Sequence, residues 1–452
     1  MTRKLLFAAA LFLPATATLA NPYEKTLANG LRVIVQEDRR APTAVHMVWY
    51  RAGSMDETDG TSGVAHVLEH MMFKGTKNLK PGEFNKRVAA AGGRDNAFTS
   101  RDYTAYFQQV PSARLGEMMA LEADRMANLV LDPKEFEQEI RVVMEERRLR
   151  TEDNPQALVH EKQMAAAFQA HPYRRPIIGW MNDLENMTAA DARDWYRRWY
   201  APNNAYVIVV GDVKKDEVFR LAERHYGRIP VRTLPGRKPQ SEPPQVGIKR
   251  LTVKAPAKLP YLSLAWKVPV LRDLHREREP FALEMLGAVL DGHDAARFAR
   301  NLVRGSKIAV SAGAGYDATA RGEALFVVSG TPAEGRSVAE LEAALRAEIA
   351  RVASEGVSEQ ELERVKVQTI AAQVYKRDSM MAQAMEIGRA EAAGIHWRDI
   401  DTLLEKIRSV TAEEVQAMAK KYFDDATLTV AVLDPQPLPE DAPKKSAPAG
   451  RH

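Results

Sequence analysis

Two histidines and a glutamate lie within one short segment, "SGVAHVLEHMMFKG" (residues 62–75). His66 and His70 are four residues apart, and Glu69 directly precedes the second histidine. Residues four apart lie on one face of an α-helix, so both imidazoles can reach a single metal ion. Glu69 lies about 100° round the helix from His70, close enough to contact a water bound to that ion. The spacing predicts a helical metal site with a base beside it.

Chance is the alternative explanation for this motif. With 10 histidines in 452 residues, such a five-residue pattern arises accidentally in on the order of one chain in a hundred. The context favours a helix, because Thr61 or Ser62 can cap its start and Gly75 can end it. A helix that buried two unpaired histidines and a glutamate without a metal would also carry a large desolvation penalty. We therefore favour a metal site.

A catalytic zinc generally takes three protein ligands and leaves one position for water, so the motif requires a third ligand. The sequence contains no cysteine, and its other histidines are scattered singly, which leaves a carboxylate. In the acidic segment "EFEQEIRVVMEERRLR", Glu139 and Glu146 are seven residues apart and share a helical face. If that face meets the motif helix, Glu146 can bind the metal and Glu139 can support a histidine ring. A solvated, charged helix is the alternative interpretation of this segment.

The elements that must position these residues mix strands and helices. Two strand signals, "LRVIVQE" and "TAVHMVWYRAG", precede the motif helix. A short helix in "PGEFNKRVAAAGG" and a strand region in "NAFTSRDYTAYFQQV" follow, and then two long helices at about 112–130 and 133–150. Strands and helices do not alternate regularly, which favours an α+β fold over a doubly wound parallel sheet.

The second part of the chain repeats the first. "NMTAADARDWYRRWYAPNNAYVIVVGDV" is echoed by "SVTAEEVQAMAKKYFDDATLTVAVLDP", where Thr188 matches Thr411 and Tyr200 matches Phe423 at one offset. "TAVHMVWYRAG" is likewise echoed by "PYLSLAWKVP". Two echoes in the same order predict a duplicated domain of about 200 residues, larger than a solenoid repeat.

Composition changes along the chain suggest the domain boundaries. Proline is frequent around residues 233–248, which predicts an extended linker. The predicted organisation is a signal peptide (1–20), a metal-binding domain (21–232), the linker (233–248), a second homologous domain without the metal motif (249–435) and a disordered tail (436–452).

The start of the chain and its overall charge bear on location and partners. A basic start at Arg3 and Lys4, an apolar run and small residues up to Ala20 are typical of a cleaved secretory signal peptide. We expect a periplasmic or secreted protein. An N-terminal membrane anchor is disfavoured because the apolar run is far shorter than the roughly 20 residues that span a bilayer. Removing Arg3 and Lys4 lowers the formal charge from +4 to +2, too little to suggest a nucleic-acid partner.

The combined motifs resemble the pitrilysin family of zinc peptidases, which includes insulin-degrading enzyme and the mitochondrial processing peptidase. The likeness rests on the H-x-x-E-H order from His66 to His70 and on the E-x6-E pair of Glu139 and Glu146 in a later helical segment. The resemblance implies two similar α+β halves, each a mostly antiparallel sheet packed with helices, that enclose a chamber. It implies one zinc ion per chain, in the first half.

The resemblance also implies residue roles in an endopeptidase. His66, His70 and Glu146 are then zinc ligands, and Glu69 is the general base. Glu139 supports a ligand from behind. The extended segment Asn96–Ala97–Phe98 is then an edge strand to which a peptide substrate adds as one more strand, with an ordinary core strand as the alternative.

One departure from the family pattern concerns substrate binding. The second half of such enzymes usually carries an arginine and a nearby tyrosine that hold substrate near the metal. Arg304 stands in the matching place, but Val310 occupies the position of the tyrosine, with Ser311 beside it. In two-subunit members a partner that lacks the metal motif supplies such groups. We therefore predict a homologous partner subunit of this kind, in preference to a homodimer.

Three functions remain open at the level of sequence. The first is an exported zinc endopeptidase that acts on peptides or unfolded segments. The second is a non-catalytic assembly subunit of the same fold, which is disfavoured because a closed structural metal site has no use for Glu69. The third is a periplasmic module that binds peptides without cleaving them.

Overall fold

The computed structural model describes residues 21–438. The predicted signal peptide (1–20) lies outside the described residues, as do residues 439–452 of the predicted tail. Within residues 21–438, no helix is both long enough and apolar enough to cross a bilayer.

The first half packs helices against one sheet. Its strands are β1 (Tyr23–Thr26), β2 (Arg32–Glu37), β3 (Thr43–Tyr50), β4 (Arg94–Thr99), β5 (Thr104–Pro111) and β6 (Ala205–Gly211). Its helices are α1 (Val64–Met71), α2 (Glu83–Ala90), α3 (Leu115–Asn128), α4 (Pro133–Arg147), α5 (Pro155–Ala167), α6 (Met181–Asn186), α7 (Ala189–Trp199) and α8 (Lys215–Tyr226). The strand order is β1-β2-β6-β3-β5-β4.

The second half follows the same plan. Its strands are β7 (Lys249–Pro256), β8 (Tyr261–Val268), β9 (Ala309–Gly315), β10 (Ala324–Pro332) and β11 (Leu428–Gln436). Its helices are α9 (Glu279–Asp291), α10 (Val338–Glu355), α11 (Glu359–Lys376), α12 (Met380–Ala392), α13 (Ile400–Arg408) and α14 (Ala412–Tyr422). The strand order β7-β11-β8-β10-β9 repeats the order β2-β6-β3-β5-β4 of the first half.

Local details confirm the predicted duplication and the α+β fold. In the described part of each sheet, one pair of strands is parallel (β2 with β6, β7 with β11) and the other pairs are antiparallel. Thr188 caps α7 through a capping box with Asp191, and Thr411 caps α14 through the same motif with Glu414. Side-chain and backbone groups satisfy each other reciprocally in such a box, so the repeated threonines mark the same helix start in both halves.

The halves exchange one helix each, which covers the outer faces of the sheets. Helix α5 of the first half packs on β7, β8 and β11, and α12 of the second half packs on β3 and β6. The Gln163 amide on α5 donates to the carbonyls of Ser263 and Thr429 at 3.0 and 3.1 Å. In the reciprocal contact, the Tyr206 hydroxyl donates to the Gly388 carbonyl at 2.7 Å. Strand β6 is buried along its whole length, in keeping with a central strand covered on both faces.

The predicted linker contains no helix or strand, but it is anchored. In residues 233–248, the Glu242 carboxylate accepts hydrogen bonds from the backbone N–H groups of residues 169–171 at 2.7–2.9 Å. It also pairs with Lys267 at 3.0 Å. These bonds tie the linker both to the loop after α5 and to the second sheet.

Candidate active site

Helix α1 carries His66, Glu69 and His70, but it starts and ends differently from the prediction. The N-cap is Gly63, with φ of 90°, and neither Thr61 nor Ser62 caps the helix. The buried Glu57 carboxylate instead accepts hydrogen bonds from the backbone N–H groups of Gly63 and Ala65, both at 2.9 Å. The predicted cap was wrong because the Ser62 hydroxyl donates to Asp183, a residue 121 positions away, at 2.5 Å. The helix ends at Met71, before the predicted Gly75.

The loop around Gly179 ties α1 to α4. A Cβ atom on Gly63 would lie 2.6 Å from the Ile178 carbonyl oxygen, and one on Gly179 would lie 2.4 Å from the Ser62 carbonyl oxygen. Only glycine allows the two backbones to approach so closely. The guanidinium of Arg147, the last residue of α4, donates to the Gly179 carbonyl at 2.8 Å. One loop therefore contacts the start of the histidine helix and the end of the glutamate helix.

This packing brings the predicted ligands together. The Glu146 Oε2 atom lies 3.4 Å from His70 Nε2 and 3.8 Å from His66 Nε2. One ligand atom from each of His66, His70 and Glu146 lies within 4.8 Å of the other two. It is the one such group of metal-binding side chains found among residues 21–438.

Glu139 lies behind His70, as predicted. Its Oε1 atom is 2.9 Å from His70 Nδ1, and its Oε2 atom pairs with the Lys74 ammonium. A carboxylate only accepts hydrogen bonds, so Nδ1 of His70 carries the proton and Nε2 is directed to Glu146. Lys74 was not predicted, because a lysine just beyond the end of a short helix gives no signal of this contact.

The ionisable groups of the cluster shift one another's pKa values. Burial and the neighbouring His70 lower the pKa of His66 to about 4. Burial also acts to lower the pKa of His70, but hydrogen bonds to Glu139 and Glu146 outweigh it and raise that pKa to about 9. The hydrogen bond from His70 lowers the pKa of Glu146. Two carboxylates converge on the His70 imidazole and favour a positive charge there, whereas burial disfavours one on His66.

The fit to a zinc ion follows from these donors. Two imidazole nitrogens and one carboxylate oxygen face one small space, which is the donor set and number of a catalytic zinc site. Glu146 is held from its other side by Arg150, whose guanidinium lies 2.6 Å from Oε1. Arg150 belongs to a π-helical turn, Arg148–Glu152, that follows α4 where the sequence predicted further α-helix.

Glu69 is buried beside the cluster, with 9% of its surface exposed. Its Oε2 atom accepts a hydrogen bond from the Thr99 hydroxyl at 2.5 Å. Burial raises the pKa of Glu69, although the Thr99 hydrogen bond acts against the rise. Thr99 was not predicted from the sequence, because nothing local links a threonine at the end of one strand to a helix earlier in the chain.

Strand β4, which contains Asn96, Ala97 and Phe98, lies at the edge of its sheet, the position that the family resemblance implied for this segment. Among the described strands it pairs only with β5. Ala97 packs against the core beneath α1, whereas Phe98 packs on the opposite face against Trp49, with ring centroids 5.5 Å apart. The Asn96 side chain accepts a hydrogen bond from the Ala97 backbone N–H at 2.9 Å. Strand β4 also packs against α1, the helix that carries Glu69.

Arg304 and Val310 occupy the positions of the second half that the family resemblance associates with substrate binding. The Arg304 guanidinium donates to the Asp294 carbonyl at 2.5 Å and, within residues 21–438, to no residue of the cluster. Val310 lies on the edge strand β9 with 56% of its surface exposed. No hydrogen bond or ion pair links either residue to the metal-binding side chains within residues 21–438.

Comparison with known proteins agrees with the fold. A family model described as insulinase (peptidase family M16) matches residues 32–180, and one described as the peptidase M16 inactive domain matches residues 186–369. The zinc protease PqqE of Helicobacter pylori is 31% identical over 420 residues, which are 91% of this chain and 92% of that protein.

Solved structures show the same architecture. The crystal structure of a protease from Helicobacter pylori matches with a TM-score of 0.87 at 29% identity, over 92% of this chain and 100% of that chain. The periplasmic protease PqqL from Escherichia coli shares the fold, with a TM-score of 0.79 at 19% identity over 92% of this chain and 48% of that chain. These matches confirm the resemblance inferred from the H-x-x-E-H and E-x6-E motifs. The chain belongs to the insulinase family of peptidases, peptidase family M16.

Proposed function

We propose that the chain is a zinc-dependent endopeptidase that hydrolyses peptides or unfolded polypeptide segments and holds one zinc ion. The observation that carries this proposal is the convergence of His66, His70 and Glu146, three groups from two helices, with Glu69 beside them. The naming of relatives as zinc proteases supports the same function.

Each residue of the cluster has a role in this proposal. His66 and His70 bind zinc through Nε2, and Glu146 binds through its carboxylate. Glu139 holds His70 in the tautomer that leaves Nε2 free, and Lys74 neutralises Glu139. When bound, zinc lowers the pKa of a water molecule and polarises the scissile carbonyl.

Glu69 is the general base. It takes a proton from the attacking water and later gives it to the leaving amine. Its burial suits this role, because the raised pKa makes the carboxylate a stronger base. A closed structural site would need no carboxylate at this place, which argues against the alternative of a non-catalytic assembly or peptide-binding subunit.

The substrate adds to the free edge of β4, along Asn96, Ala97 and Phe98. Binding of this kind uses main-chain hydrogen bonds more than side chains, and it suits varied, unfolded peptides. The position of β4 beside α1 supports the assignment, because a peptide on that edge passes close to Glu69.

Location and partners form a further part of the proposal. The N-terminal segment up to Ala20 favours export to the periplasm or the medium. The valine at position 310, and an Arg304 guanidinium that donates to the Asp294 carbonyl and not to the cluster in the described residues, support a homologous partner subunit that lacks the metal motif, with a homodimer as the alternative.

A quenched fluorescent peptide tests the function. We expect hydrolysis that is lost on chelation and restored by zinc. Glu69→Gln should abolish hydrolysis while the protein keeps its zinc, whereas Glu145→Gln should behave as wild type, because Glu145 is exposed and pairs only with Arg148 in the described structure. A Glu69→Gln variant that cleaves at the wild-type rate would contradict the proposal, and intact substrate with the wild-type protein would favour a binding module.

A further inference from the structure

The contact between Thr99 and Glu69 joins the substrate strand to the base. Thr99 is the last residue of β4, and its hydroxyl donates to Glu69 Oε2 at 2.5 Å. Among residues 21–438 it is the one group found to hydrogen-bond to the Glu69 carboxylate. The second oxygen, Oε1, is left without a hydrogen bond in that part of the chain and is available to a water molecule.

The backbone around Thr99 is held independently of this contact. The turn after β4 is closed by a hydrogen bond from the Ser100 N–H to the Tyr103 carbonyl at 2.8 Å. The Ser100 carbonyl accepts from the Ser54 N–H at 3.1 Å, and the Arg101 carbonyl accepts from the Met55 N–H at 2.8 Å. A Cβ on Gly53 would lie 2.5 Å from the Ser100 carbonyl oxygen, so the two segments are in close contact.

Threonine suits such a position. Its branched side chain has few χ1 rotamers, so a fixed backbone also restricts the direction of its hydroxyl. A hydroxyl preoriented in this way restrains the Glu69 carboxylate at little further entropic cost.

We propose that Thr99 is a positioning residue that orients the Glu69 carboxylate for proton transfer. The inference rests on the proposed peptidase function. Thr99 is the last residue of β4, so the strand that aligns the substrate also orients the base. One strand therefore positions both the peptide substrate and the Glu69 carboxylate. Thr99 acts through Glu69 and contacts no reacting atom.

Two variants at this position separate orientation from packing. Thr99→Val keeps the shape and removes the donor; Thr99→Ser keeps the donor. For Thr99→Val we expect kcat to fall by about 10- to 100-fold, the range for a hydrogen bond to a charged group, with KM within about twofold of wild type and an unchanged zinc content. Thr99→Ser should retain most of the wild-type kcat. Thr26→Val, the same substitution at the exposed end of β1, is the matched control and should leave both constants unchanged.

Two kinetic outcomes would overturn the inference. A wild-type kcat for Thr99→Val would show that the hydroxyl does not orient the base. An increase of KM at constant kcat would show that Thr99 binds substrate instead.

A readout without catalysis tests the contact itself. In zinc-free protein, Thr99→Val, Glu69→Ala and the double variant form a cycle of unfolding free energies. We expect the two single effects to be non-additive. If the wild-type enzyme hydrolyses peptide but the two unfolding effects are additive, the Thr99 inference alone is overturned. If the wild-type protein hydrolyses no peptide, the proposed function is overturned and the inference with it.

Discussion

Removing the carboxylate of Glu139 tests how the cluster binds its metal. Glu139 Oε1 lies 2.9 Å from His70 Nδ1, and the other oxygen pairs with Lys74. In Glu139→Ala the His70 ring loses the acceptor that fixes its tautomer and direction, and the cluster loses one negative charge. Loss of such a supporting group typically weakens metal affinity by about 10- to 100-fold, which corresponds to about 1.4–2.7 kcal/mol.

A zinc competition assay with a fluorescent chelator at fixed pH measures this effect. We expect Glu139→Ala to bind zinc about 10- to 100-fold more weakly than wild type, and Glu139→Gln, which keeps an acceptor oxygen, to lie between the two. Glu145→Ala is the matched control, since Glu145 lies on the same helix and is exposed. Wild-type affinity in Glu139→Ala would refute the view that Glu139 orients His70.

Three further outcomes are expected. Gly388→Ala should destabilise the protein by more than about 2 kcal/mol in thermal or urea unfolding, because its Cβ would lie 2.1 Å from the Trp49 ring. Gly287→Ala is the helical control and should be neutral or stabilising, because its Cβ would lie 3.7 Å from the Phe326 ring. Burial acts to raise the pKa of Glu242, but backbone N–H groups and Lys267 outweigh it and lower that pKa to about 2. The stabilisation by the Glu242 carboxylate is therefore present above the unfolded-state pKa near 4.5 and is lost as the pH falls toward 2. In Glu242→Gln, the free energy of unfolding should depend less on pH in this range. Without metal, the His70 ring is protonated on both nitrogens up to about pH 9, so zinc binding at pH 7.5 should release close to one proton, the one on Nε2. The release is measurable by calorimetry in buffers of different ionisation enthalpy, and zinc affinity should rise with pH.

Local patterns allowed much of the fold to be predicted from the sequence. The capping boxes at Thr188 and Thr411 depend on residues three positions apart, so their repetition can be recognised from the sequence without knowledge of the sheets. The spacing of His66 and His70 likewise specifies one face of a helix without any tertiary information. The seven-residue spacing of Glu139 and Glu146 identified the correct face of α4 in the same way.

Contacts between distant segments could not be predicted in this way. The start of α1 depends on Asp183, which competes for the Ser62 hydroxyl from 121 positions away. Thr99 reaches Glu69 only because β4 and α1 pack side by side. The exchange of α5 and α12 between the halves also has no local signature, because each helix packs on the sheet of the other half.

Anomalous diffraction from crystals of the zinc-loaded protein would show whether His66, His70 and Glu146 bind one zinc ion. We expect a single zinc peak in the first half, about 2.0–2.2 Å from the Nε2 atoms of His66 and His70 and from a Glu146 oxygen, with an open position facing Glu69. A peak elsewhere, or a fourth protein ligand that closes the site, would contradict this expectation.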